Sequence, residues 1–140
     1  MTMRHRFAAL FLAAILSGCA SIPSLTPPER CPPGLHAAVN DLLYFGTTKP
    51  GGAVSLKEWS DFLWDDVTPK FPDGFTAWQA YGQWRPDKGE VQRELSYVVS
   101  IVHPEGDGAE AGIQAVIADY KSRFHQESVL RVSSPACVSF

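Results

Sequence analysis

The spacing of hydrophobic residues changes several times along this chain, and each change marks an element. Val39–Thr47 is apolar at both parities, with Leu42 and Tyr44 alternating with Leu43 and Phe45. A strand that is apolar on both faces belongs in the middle of a sheet. Ser55-Leu56-Lys57-Glu58 reads as a capping box that opens a helix. That helix is predicted to run to about Val67, with Leu56, Trp59, Phe62, Leu63 and Val67 as its buried stripe and Pro69 as its stop. Phe75–Arg85 and Glu90–His103 read as the two strands of a hairpin, joined by the turn Pro86-Asp87-Lys88-Gly89. Ile113, Val116, Ile117, Tyr120 and Phe124 recur at helical spacing, with Asp107 and Glu110 as the predicted cap. Ser128–Ser133 is the last predicted strand, ended by Ser134-Pro135-Ala136-Cys137.

The order strand, helix, strand, strand, helix, strand predicts an α+β fold. It is the ferredoxin-like βαββαβ sandwich, a four-stranded antiparallel sheet with both helices on one face. Right-handed crossovers put the first and third strands in its middle. In the hairpin, pairing Arg85 with Glu90 gathers Trp84, Ala80, Trp78, Leu95, Tyr97 and Val99 on one apolar face, expected against the helices. The other face of the sheet is left uncovered. The residues expected there form the candidate binding face: Tyr44, Gln79, Tyr81, Gln83, Arg85, Glu94, Ser96 and Arg131.

Composition adds location rather than chemistry. Arg4, His5 and Arg6 precede a ten-residue apolar run, Phe7–Leu16, too short to span a bilayer but suited to a signal peptide. Leu16-Ser17-Gly18-Cys19 follows and resembles the lipoprotein box, in which the cysteine is lipidated. Residues 1–18 are therefore expected to be a lipoprotein signal peptide, with Cys19 as the lipid anchor. Ala20 after that cysteine fits sorting to the periplasmic face of the outer membrane. Residues 19–38 are expected to be a tether, rich in proline between Cys19 and Gly34, and residues 39–140 the folded domain. Cys31 and Cys137 remain, and export to an oxidising compartment predicts that they pair. From Cys19 onward ten basic side chains face fifteen acidic ones. A chain with that balance lacks the basic footprint that nucleic acid needs.

Several stretches together are similar to a family of exported bacterial proteins of unknown function, DUF3574. They are Leu43–Gly46, Val67–Gly74, Gly82–Arg85, Tyr120 with Phe124 and Gln126, Ser128–Val132 and Ser134–Cys137. The resemblance implies no activity, cofactor or catalytic residue.

Motif chemistry is sparse. None of His5, His36, His103 and His125 sits within four residues of another, and neither a Walker loop nor a Gly-x-Ser-x-Gly elbow is present. No metal or cofactor is expected. Two classes of function stay open. One is an envelope binding or interaction module, using the open sheet face for a homodimer or a small ligand and held to the membrane by its lipid. The other is a small periplasmic enzyme with an acid–base pocket around Glu94 and Tyr81.

Overall fold

The computed structural model describes residues 31–85 and 89–139. The signal-peptide segment, Cys19, the tether up to residue 30 and the turn residues 86–88 lie outside the described residues. The elements are β1 (His36–Gly46), α1 (Leu56–Phe62), β2 (Thr76–Trp84), β3 (Gln92–His103), α2 (Asp107–Phe124) and β4 (Leu130–Val138). A two-residue ladder, Thr48–Lys49 with Gly52–Ala53, bends the chain between β1 and α1. The sheet order is β2-β3-β1-β4, and every neighbouring pair is antiparallel. The fold is the ferredoxin-like sandwich, with the doubly apolar β1 in the interior of the sheet.

Both helices pack on one face, and the core between them and the sheet is aromatic. Phe45 lies 4.6 Å from Tyr120, Phe62 lies 5.0 Å from Tyr120, and Trp59 stacks flat on Tyr97 at 4.4 Å. Tilted and stacked rings of this kind add about 0.5–1.5 kcal/mol per pair beyond their buried area. The stripe of α2 is buried as expected at Ile113, Val116, Tyr120 and Phe124. The capping box of α1 also forms: Ser55 Oγ accepts from the Glu58 backbone N–H, and the Glu58 carboxylate accepts from the Ser55 backbone N–H. Hydrogen bonds from Lys49, then from the Ser55 backbone and hydroxyl, hold the Glu58 carboxyl down at about 2.

Several expectations about single elements are corrected. Leu56, in the first turn of α1, is 70% exposed rather than part of the stripe. After Phe62 the helix widens into a π turn over Leu63–Val67, closed by the Thr68 N–H and hydroxyl on the Leu63 carbonyl. At α2 the cap position is Gly106 and no side chain caps it. The last strand runs on through Ser134-Pro135-Ala136-Cys137 to Val138. Pro135 is tolerated there because β4 is an edge strand and a missing N–H can face outward.

The hairpin register decides which side chains reach the uncovered face. Thr76 opposes Ser100, Trp78 opposes Val98 and Trp84 opposes Gln92. This is one residue away from the register read from the pattern, so every β2 side chain changes face. Ala77, opposite Val99, and Phe75 pack on the core, while Trp78 and Trp84 stand on the uncovered face. Cys31 and Cys137 are joined in a disulfide with Cα atoms 5.5 Å apart. It ties the residues just before β1 to the end of β4.

Candidate functional site: the open sheet face

β1 and β3 pair through Tyr44↔Val98 and Leu42↔Ser100, β1 and β4 through Tyr44↔Leu130 and Leu42↔Val132. Rows of side chains therefore cross the whole sheet on the face away from the helices. One row is Trp78–Val98–Tyr44–Leu130, and the next is Thr76–Ser100–Leu42–Val132. Val98 is fully buried between its flanking aromatics, although no described helix covers this side. Around it Trp78, Trp84, Val102, Leu130 and Val132 are each 40–60% exposed. Half of the ten large hydrophobic residues exposed among the described residues thus gather on this face. Polar side chains stand between them, Asn40, Ser96 and Ser100 among them. Ser100 donates to Asn40 Oδ1 at 2.9 Å, and Ser96 is nearly buried.

Of the residues expected on the candidate face, Tyr44, Glu94 and Ser96 are there. Gln79, Tyr81 and Gln83 are turned to the opposite side by the register, and Arg85 is exposed past the end of β2. Arg131 is also on the helix side, opposite Leu43. The reason is a buried carboxylate. Asp41, fully buried on β1, receives both Arg131 Nε and Nη2 at 2.8 and 2.9 Å and faces His103 Nε2 at 2.8 Å. Arg131 also donates to Glu110 on α2 at 2.8 Å. Burial works against the Asp41 charge, but hydrogen bonds from Arg131, His103 and Ser133 outweigh it and hold the carboxyl below its usual range. Arg131 and then Gln114 hold Glu110 low as well. The cluster crosses β1, β3, β4 and α2. Its carboxylate is saturated by partners, so it serves as a clamp within the fold rather than as a reacting centre. The sequence carried one sign of it: Asp41 shares the parity of Leu43 and Phe45 in a central strand, and a carboxylate buried there requires cations.

Glu94 is committed too. Its Oε2 accepts from the backbone N–H groups of Thr47 and Thr48 at 3.2 and 3.1 Å, where the chain leaves β1. A Cβ on Gly46 would come within 3.1 Å of Glu94 Oε1 and 3.2 Å of Gln126 Oε1, so this approach uses the missing side chain of Gly46. Tyr120 donates to the Gly46 carbonyl at 2.8 Å, and Gln126 Nε2 to the Thr48 carbonyl at 2.6 Å. Glu94 and Tyr81 both border a shallow concavity of about 440 Å³ on the hairpin, but their side chains leave opposite faces of it. Among the described residues, no three His, Cys, Asp or Glu side chains converge as metal ligands, and no helix is long and apolar enough to cross a membrane.

The stretches Leu43–Gly46 and Tyr120 to Gln126 thus meet at the exit of β1. They fall within the part of the chain, residues 40–140, matched by the family described as "Protein of unknown function (DUF3574)". The chain belongs to that family. No curated protein matches this DUF3574 chain. Among solved structures, a phage SAM lyase in complex with S-methyl-5'-thioadenosine is similar, with a TM-score of 0.54 and 15% identity. The match covers 82% of this chain and 97% of that one. The phage SAM lyase in its apo state matches over the same shares at a TM-score of 0.51 and 16% identity. At these identities the likeness is one of fold.

Proposed function

We propose that this DUF3574 protein is a cell-envelope interaction module that docks a partner surface on its open sheet face. Lipid on Cys19 anchors it at the periplasmic face of the outer membrane, and the part of residues 19–38 that precedes β1 holds the domain off the bilayer. The apolar run followed by Leu16-Ser17-Gly18-Cys19 supports the anchor. The Cys31–Cys137 disulfide supports an oxidising compartment. The observation that carries the docking reading is the apolar band of Trp78, Tyr44, Leu130 and Val132 on a face that no described element covers. The small-enzyme reading draws support from the phage SAM lyases that share the fold. Against it, the register parts the side chains of Glu94 and Tyr81, and Glu94 already holds two backbone N–H groups.

Photo-crosslinking in the cell envelope tests the docking reading. A photoreactive residue at Val132 should give a discrete adduct, whereas one at Lys121, on the exposed side of α2, should give none. Cys19→Ser should release the protein from the membrane fraction and weaken the adduct. Equal labelling at both positions, or none at either, would remove the proposal.

A further inference from the structure

The two edges of the sheet are unlike. β4 is blunted by Pro135 and tied down by the disulfide at Cys137. β2 carries none of the devices that normally protect an edge. Its nine residues, Thr76–Trp84, hold no charge and no proline. No described element pairs with its outer backbone. Trp78, Tyr81 and Trp84 are exposed along it, on both faces.

Gly82 is the second observation. Glycine weakens a strand interior and normally marks a bulge, a bend or a close approach. Here its φ is not in the left-handed region, and an added Cβ would meet its nearest neighbours at an ordinary 3.7 Å. Nothing within the described chain requires glycine at this position.

We propose that β2 pairs antiparallel with β2 of a second copy, about a two-fold axis at Ala80. Ala80 is the middle residue of the nine, so this register pairs the strand along its whole length. It sets Trp78 of each copy opposite Gly82 of the other, Thr76 opposite Trp84, and Gln79 opposite Tyr81. The indole of one copy then lies over the glycine of its mate, which supplies the close approach that Gly82 lacks within one chain. A strand free of charge meets itself without repulsion, and a two-fold contact of this kind closes on itself. The result is a continuous eight-stranded sheet whose two open faces join into one apolar surface. This pairing goes beyond the docking reading and stands without it, because it uses the backbone edge and not the face.

Cysteine cross-linking of the full-length protein in its own envelope tests the pairing. In an antiparallel pair, directly opposed Cα atoms lie about 4.5–5.5 Å apart, within disulfide reach. Ala80→Cys should therefore give a covalent dimer on oxidation with copper phenanthroline. Thr76→Cys, whose two copies would sit about 26 Å apart along the strands, should give none, as should the parent protein. Adding Gln79→Lys and Tyr81→Lys places like charges opposite each other, off the open face, and should lower the dimer yield of Ala80→Cys at least tenfold. The inference is overturned if Ala80→Cys cross-links no better than Thr76→Cys, or if its dimer survives the two lysines. Loss of the dimer in the lysine variant with Val132 adducts unchanged supports the edge pairing as a contact separate from the docking face.

Discussion

Asp41→Ala is expected to lower the stability of the domain by about 3–5 kcal/mol, the usual cost of removing one partner from a buried ion pair. Arg131 would keep its charge beneath α2 with only Glu110 left to meet it, and His103 would lose the acceptor at Nε2. The cluster joins three strands and a helix, so no small local movement can solvate what remains. Acid should reproduce part of the loss. The Asp41 carboxyl is held low in the folded state, so its contribution is fully present above the unfolded value of about 3.9 and fades as pH falls through the folded value. Urea melts of the two proteins should therefore differ most near neutrality and converge below about pH 4. A loss under about 1 kcal/mol at neutral pH would show that the cluster behaves as a surface ion pair.

Removing the disulfide is the second large effect. Cys31 and Cys137 are 106 residues apart. The chain-entropy account assigns about 4.7 kcal/mol to closing a loop of about 100 residues in the unfolded chain. Cys31→Ser with Cys137→Ser should therefore lose about 4–5 kcal/mol, a large share of the total for a domain of this size. Cys137 opposes Ala37, so the same change should free the terminal pairs of β1 and β4 first. Denaturant midpoints with and without reductant measure the loss, and hydrogen exchange at residues 36–38 and 136–138 reports where it starts. Equal midpoints in the two conditions would mean that the bridge leaves the unfolded chain unconstrained.

How much of this was legible in the sequence depended on how strongly each residue was sorted by burial. Both parities of β1 are apolar, which marks an interior strand and decides the strand order. α2 was legible because Ile113, Val116, Tyr120 and Phe124 leave one choice of face. β2 was not. Its sequence places apolar residues at both parities: Phe75, Ala77 and Tyr81 on one, Trp78, Ala80 and Trp84 on the other. Assigning the tryptophans to the core is the natural choice by size. Yet Trp59 already lies flat over Tyr97, and on the edge strand the small Ala77 together with Phe75 completes the layer. The same error of face befell Arg131. Leu130 and Val132 look like core residues, but Asp41 inside the sheet draws Arg131 inward and leaves both of them 44–60% exposed. Glu94 stands on the open face, as its parity with Ser96 implies. Its engagement by Thr47 and Thr48 could not be read, because it depends on how the chain turns after Gly46. These two changes of face together make the open face more apolar than the expected set of residues.

The docking reading rests on the β2–β3 register, and one measurement addresses it directly. Cross-strand nuclear Overhauser contacts in the isotope-labelled protein report which backbone positions are opposed. The structure predicts that Trp78 faces Val98 and Ala80 faces Ser96. Contacts from Trp78 to Tyr97 and from Ala80 to Leu95 would return both tryptophans to the core and contradict the account.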